Sequence, residues 1–306
     1  MISLEKYDTN TEKKYFSNVQ SVVSDKAQKN IINGCKTFFP PDFFTKNQPE
    51  EQFKELILAP YEKIKNAFEW IKNNPDNMRK ECFTKKTKKI RTKYQVLYNA
   101  YGKVTQKILD DEKLNVWLVR KTGLNVCPYC NRDYINSRSK RIVGAELDHF
   151  YPRSKFPFFS VSLYNLVPVC AKCNHIKSHD VKEFVSPFEE DYDWDKNLSF
   201  SYVPLKSGKV HIEINAKGRA KNNMDEFMIE EAYKIHEKEV KELLDKVETY
   251  NKTQTIEFMD VLKSKKMSQE EVKTMVFGEK ITPEQMKSKP LGRMLRDLER
   301  ELKVYD

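Results

Sequence analysis

Apolar side chains recur every three or four residues along much of the first 125 residues, which is the spacing of one helix face. The pattern is clearest over residues 52–74 and 94–120, and we predict a helix over each. It stops at Pro40 and Pro41 and again around Pro75, residues that interrupt helices. The front of the chain is therefore predicted to be mainly helical.

Strict alternation of apolar and polar residues replaces this spacing over 197–215, with Gly208 between two alternating stretches. This pattern predicts a β-hairpin. A long amphipathic helix is predicted after it, from Asn222 towards Tyr250. Two capping boxes predict the starts of later helices: Ser268 with Glu271, and Thr282 with Gln285. We therefore expect an α+β protein that is mainly helical.

The composition excludes several classes of protein. No run of eighteen apolar residues is present, so no membrane-spanning helix is expected. The N-terminus lacks the basic and then apolar order of a secretory signal, which predicts a cytoplasmic protein. Only 8 glycines occur among 306 residues, and no glycine-rich phosphate-binding motif is found.

Positive charge is concentrated in the front of the chain. The formal net charge is +10, of which residues 1–125 carry +9, residues 126–180 carry +4 and residues 181–306 carry −3. This asymmetry predicts that the first 180 residues meet a polyanion. The densest stretch, 79–93, has eight cations and one acid, and suits either a solvated surface or phosphate contact.

Four of the six cysteines form two C-x-x-C pairs: Cys127 with Cys130, and Cys170 with Cys173. Disulfides are not expected in a cytoplasmic protein, so the two pairs predict a metal site. Four thiolates suit tetrahedral Zn²⁺ and leave no open position, which makes the zinc structural. Buried free thiols and a thioredoxin-like redox pair are the alternatives. Cys35 and Cys82 stand alone and are predicted to pack in the interior.

Between the cysteine pairs lie residues suited to phosphodiester hydrolysis. An apolar segment ends at Asp148 and His149, a second follows Asn165, and a predicted helix carries Asn174. The oxygens of Asp148 and Asn174 suit Mg²⁺ or Mn²⁺, and a neutral His149 can take a proton from water. Asn165 cannot act as a base, but its amide can hold the loop that carries His149.

This arrangement resembles the HNH endonucleases of the ββα-metal class, in the subgroup with a four-cysteine structural zinc. The resemblance covers about residues 124–180. It implies that Asp148 and Asn174 are metal ligands, that His149 is the general base and that Asn165 is the central asparagine. Asn174 stands where the literal motif has histidine, as in several family members, and this bears on metal preference.

Further residues near the motif have predicted roles. Arg153, Lys155 and Lys177 are predicted to contact phosphate. His175 and His179 are four residues apart and share a helix face, so they form an alternative metal-binding pair of the kind used by some zinc-free HNH toxins. A solvated or phosphate-contacting face is the other interpretation of this pair.

The resemblance predicts a metal-dependent endonuclease that cuts double-stranded DNA with low sequence specificity. The extended chain also resembles HNH proteins of bacterial anti-phage defence systems, which often act with a separate ATPase. A zinc-stapled nucleic-acid-binding adaptor without catalysis and an RNA-cleaving toxin remain open alternatives. The predicted regions are a basic helical region (1–123), the zinc-bound HNH core (124–185), and a β-hairpin with a helical C-terminal region (186–306).

Overall fold

The computed structural model describes residues 1–85, 87–178, 182–206, 208–250, 254, 257 and 267–305. About half of these residues are helical, and the strands pair into small antiparallel sheets, which agrees with the predicted α+β class. No helix within these ranges is both long and apolar enough to cross a membrane.

The chain divides into two compact units. The larger unit contains Ser3–Pro128 and Asp133–Tyr192, and the smaller contains Met1–Ile2, Tyr129–Arg132 and Asp193–Asp306. The larger unit thus combines most of the predicted basic region with most of the predicted core.

Helices make up the front of the larger unit: α1 (Thr9–Gln20), α2 (Asp25–Cys35), α3 (Pro49–Ile57), α4 (Tyr61–Asn73), α5 (Pro75–Cys82), α6 (Thr92–Gln106) and α7 (Leu114–Lys121). The single helix predicted over 52–74 is wrong, because α3 ends before Pro60 and α4 begins after it. Proline has no N–H to donate and disfavours a helical conformation in the residue before it.

The helix predicted over 94–120 is also interrupted. The short strands β1 (Ile108–Leu109) and β2 (Glu112–Lys113) form a hairpin between α6 and α7. Asp110 and Asp111 make its turn, with φ angles of 49° and 67°. Aspartate tolerates this left-handed region better than most residues, so the turn forms without glycine.

The strand, strand, helix order predicted around the motif is present. Strand β3 (Glu146–His149) pairs antiparallel with β4 (Leu166–Val169), and α8 (Ala171–Lys177) follows directly. In the register, Asp148 lies opposite Val167 and His149 opposite Leu166.

An aromatic cluster fixes the loop between these strands. Phe158 and Phe159 lie on a 3₁₀ turn in this loop and are fully buried. The ring of Phe158 lies 5.1 Å from that of Phe38 and 5.2 Å from that of Phe39. Burying a large aromatic side chain contributes about 1.5–3 kcal/mol, so the loop is anchored to the helical front of the unit.

The smaller unit contains the predicted hairpin, with β5 (Leu198–Pro204) paired to β6 (Val210–Ala216). The helices whose bounds lie within its described residues are α9 (Trp194–Asn197), α10 (Gly218–Glu226), α11 (Ile229–Tyr233), α12 (Glu237–Thr249), α13 (Gln269–Phe277) and α14 (Gly292–Glu301). The single helix predicted from Asn222 to Tyr250 is wrong. Met228 has a φ of 48° between α10 and α11, and its neighbours Phe227 and Ile229 are both buried. In a continuous helix, residues two apart point about 200° from each other, so the break lets both reach the core.

Both predicted capping boxes form. Ser268 and Glu271 make the reciprocal bonds of the box at the start of α13. Thr282 and Gln285 also bond reciprocally, at 3.0 and 3.2 Å, but they introduce only a 3₁₀ turn over Gln285–Lys287.

Candidate functional site

The four paired cysteines form one compact cluster. The sulfur atoms of Cys127, Cys130, Cys170 and Cys173 all lie within 4.8 Å of one another, and all four residues are buried. Tetrahedral zinc with Zn–S bonds of about 2.3 Å places its sulfurs about 3.8 Å apart. The cluster can therefore hold a metal ion and is compatible with the predicted structural zinc.

Backbone hydrogen bonds shape the two cysteine loops. The amide of Cys127 donates to the carbonyl of Asp133 at 2.9 Å, which closes the first loop. Cys170 is the N-cap of α8, and its sulfur accepts from the Cys173 amide at 3.5 Å. A helix N-terminus stabilises thiolates, the form that binds metal. An ion bound here would tie the start of α8 to the segment that precedes β3.

Asp148 and Lys177 form a buried ion pair. The Lys177 Nζ lies 3.1 Å from Asp148 Oδ1 and 3.0 Å from Oδ2, and also donates to the His149 carbonyl at 3.0 Å. The side chains of Lys177 and Asp148 are 0% and 3% exposed. The phosphate contact predicted for Lys177 does not match this placement, because its ammonium group points into the protein and not to solvent.

The imidazole of His149 is held in one tautomer. Its Nε2 lies 2.9 Å from the Ser160 carbonyl oxygen, which can only accept, so Nε2 carries the hydrogen and Nδ1 the lone pair. Desolvation lowers the pKa of His149 to about 3; Arg153 and Lys177 add to the effect, and the Ser160 bond opposes it. The ring is therefore neutral, and its Nδ1 carries the lone pair.

Asn165 is fully buried and bonds to the loop after β3. Its Oδ1 accepts from the Tyr151 amide at 2.8 Å, and its Nδ2 donates to the carbonyls of Tyr151 and Phe159, each at 3.1 Å. Phe159 directly precedes Ser160, the hydrogen-bond partner of His149. Asn165 thus holds the segment that orients the imidazole.

Asp148, His149 and Asn174 line a single cavity of about 1040 Å³. Glu146 lines it too and accepts a hydrogen bond of 2.6 Å from Asn174 Nδ2. No described residue donates to Asn174 Oδ1, so this carbonyl oxygen remains for a ligand. Apart from the four cysteines, no group of three or more Cys, His, Asp and Glu in the described ranges is placed to hold an ion.

The groups in this cavity that could hold a hard divalent cation are the Asp148 carboxylate and the Asn174 carbonyl, together with water. Such an oxygen set fits Mg²⁺, which keeps several waters and binds through one or two carboxylates. The Lys177 ammonium already neutralises Asp148 and would have to share this carboxylate with the cation.

The remaining predicted residues are dispersed around the site. Arg153 lines the cavity, with its guanidinium 4.4 Å from the Tyr98 ring centroid and 4.7 Å from that of Tyr101. His175 is exposed and lines the same cavity. Lys155 is exposed and does not line it. His179 lies outside the described residues.

Sequence reasoning missed three participants. Glu146 could have been found, because residues two apart on a strand share a face and Asp148 is two positions on. Tyr101, whose ring lies 4.5 Å from that of His149, comes from the distant helix α6. Ser160 acts through its backbone carbonyl. No feature of the sequence indicates that Tyr101 or Ser160 lies at this site.

The chain matches no protein-family model, no curated protein and no solved structure. Its function is therefore inferred from the arrangement of its own side chains.

Proposed function

We propose that the chain is a metal-dependent endonuclease of the HNH type that hydrolyses DNA phosphodiester bonds. One observation carries the proposal: Asp148, a neutral His149 and Asn174 line one cavity next to a cysteine cluster that can hold zinc. A carboxylate, an amide carbonyl and an oriented neutral imidazole are the groups that metal-assisted hydrolysis needs.

In this proposal, His149 is the general base. Its Nδ1 takes a proton from the attacking water, while the Nε2 bond to the Ser160 carbonyl keeps the ring in place and stabilises the positive charge that develops on it. When bound by Asp148 and Asn174, Mg²⁺ or Mn²⁺ would stabilise the negative charge on the phosphate and on the leaving oxygen. Arg153, on the wall of the same cavity, contacts a phosphate of the strand.

Plasmid cleavage in Mg²⁺ or Mn²⁺ tests this role, with His149→Ala and His175→Ala compared to the parent protein. Loss of a general base costs about 10²- to 10⁴-fold in rate, so His149→Ala should be that much slower. His175→Ala is the matched control, because it removes an exposed imidazole from the same cavity. Equal cutting by parent and His149→Ala contradicts the proposal. A selective loss in His175→Ala assigns the metal to that histidine instead.

A catalytically idle adaptor is the second candidate, and the Asp148–Lys177 ion pair favours it, because Lys177 engages both oxygens of the proposed metal ligand. Calorimetric titration of Mn²⁺ into zinc-loaded protein separates the two functions. The enzyme binds a further ion that Asp148→Asn removes and that Asp191→Asn, at an exposed carboxylate, retains. An adaptor shows no second binding event in any of the three proteins.

The resemblance to anti-phage HNH proteins extends the proposal to a role in bacterial defence with a separate ATPase. Phage plating on cells that express the chain and this partner tests the role, with His149→Ala as the inactive control. Incubation with RNA of the same sequence as the DNA substrate tests the toxin alternative, which requires RNA to be cut preferentially.

A further inference from the structure

A second cavity in the larger unit, of about 880 Å³, has an apolar floor. It lies against α4, α5, the segment after α5 and residues 154–156. The floor consists mainly of Phe68, Ile71, Met78, Phe83 and Phe156. Cavities of 300–1,000 Å³ with mostly apolar walls are typical of small-ligand sites.

The rim of this cavity is basic. Lys80, Lys85, Lys88 and Lys155 line it and are exposed, and none of the four pairs with an acid in the part of the chain that the structure describes. The described lining contains no Asp or Glu. Three of these lysines belong to the basic stretch 79–93, whose member Lys86 lies outside the described residues. The cavity therefore offers unneutralised positive charge around an aromatic floor.

Two of the aromatic rings are available, and neighbouring rings fix the position of one of them. Phe68 and Phe83 are half-buried and face the cavity. The Phe68 ring stacks on Tyr151 at 4.4 Å and meets the edge of Phe156 at 5.5 Å, so its position is set by neighbours. A flat apolar group that carries negative charge fits this combination. A phosphate alone would leave the aromatic floor unused.

The loop after His149 connects this cavity to the candidate active site. Arg153 lines the active-site cavity, and Ser154 and Lys155 line the basic one. The Cα atoms of residues two apart lie at most about 7.6 Å from each other, so the two cavities border adjacent parts of one loop. A strand whose phosphate lies at Arg153 is thus within reach of the basic cavity.

We propose that this cavity binds the base of an unpaired nucleotide of the substrate strand, next to the phosphate that is cut. The lysines on its rim hold the flanking phosphates, and Phe68 and Phe83 contact the base. This inference rests on the proposed nuclease function and names the form of nucleic acid that the site prefers: a duplex with a local unpaired nucleotide.

Fluorescence anisotropy of the His149→Ala protein tests the proposal without cleavage. The probes are a labelled, fully paired DNA duplex and the same duplex with one unpaired nucleotide. We expect tighter binding of the second probe. Phe83→Ala should weaken that binding by roughly 5- to 150-fold, the range for loss of one base–aromatic contact, and leave the paired duplex nearly unchanged. Affinity for the paired duplex also reports whether the variant is folded.

The double variant Lys85→Gln with Lys88→Gln changes only exposed side chains, so it decides the matter if Phe83→Ala does not fold. It should weaken binding of the bulged probe more than binding of the paired one, while Lys13→Gln, at an exposed lysine of α1, affects neither selectively. Equal affinity of the parent for both probes overturns the proposal, as does equal weakening by these variants. Plasmid cutting is measured separately, so a failed binding preference and a failed nuclease are distinguishable.

Discussion

Replacing Lys177 by methionine tests whether its buried ammonium group and a divalent cation bind the same carboxylate, that of Asp148. The substitution keeps a long side chain but removes the charge that contacts both oxygens of Asp148. Because Asp148 is only 3% exposed, its carboxylate would be left almost fully desolvated and without its cationic partner. Breaking a buried ion pair in this way costs about 3–5 kcal/mol of unfolding free energy.

The assay is urea unfolding of the zinc-loaded protein, with circular dichroism as the signal that monitors unfolding. We expect the midpoint to fall for Lys177→Met by an amount that corresponds to about 3–5 kcal/mol. Lys172→Met is the matched control on the same helix: its side chain is 71% exposed, and its ammonium lies 3.9 Å from Asp133 Oδ2. An exposed pair of this kind contributes about 0–1 kcal/mol, so the control should remain close to the parent.

Divalent cations add the functional part of the test. If Asp148 is a metal ligand, Mn²⁺ should restore stability to Lys177→Met, by about 2.7 kcal/mol at one hundred times the dissociation constant. The control should gain no more than the parent protein does. Two results refute the reasoning: a stability of Lys177→Met equal to that of the control, or a destabilised Lys177→Met that Mn²⁺ does not rescue.

Three other predictions concern the cysteine cluster, Asn165 and the basic stretch 79–93. Each folded chain should bind one zinc ion, which metal analysis measures. Cys170→Ser should lose this ion and unfold at a lower urea concentration, because the cysteine cluster ties α8 to the segment before β3. Full stability of the protein without zinc contradicts this prediction. Asn165→Ala should lower kcat in plasmid cleavage more than it raises KM, because it frees the loop behind Ser160 and does not line the cavity; an unchanged kcat counts against a positioning role. Lys80→Gln should weaken DNA binding to a similar degree on every sequence and reduce the slope of log affinity against log salt by about 0.9; a sequence-dependent loss indicates base contact instead.

The sequence was sufficient to predict those features of the fold that depend on a local pattern of residues. The spacing of the two cysteine pairs predicted a metal cluster, and the structure brings all four sulfurs together. Alternation predicted the hairpin of β5 and β6, and the capping boxes at Ser268 and Thr282 form as expected. These features depend on residues near one another in the chain, or on ligand types whose chemistry requires them to meet.

Helix boundaries were predictable only in part. Pro60 is visible in the sequence, and its missing N–H explains why the stripe over 52–74 belongs to two helices. Met228 carries no such signal. It adopts a left-handed conformation because the core accepts both Phe227 and Ile229, a demand that arises only when the tertiary structure is assembled.

The same division applies to the candidate site. The sequence by itself identified the candidate side chains, Asp148 and His149 above all, because a carboxylate suits a hard divalent cation and a neutral imidazole can take a proton from water. Only the tertiary structure decided their environment: Lys177 turns inward to Asp148, and the Ser160 carbonyl selects the tautomer of His149. Side-chain identity is local information, whereas burial and hydrogen-bond partners depend on segments that meet only when the chain folds.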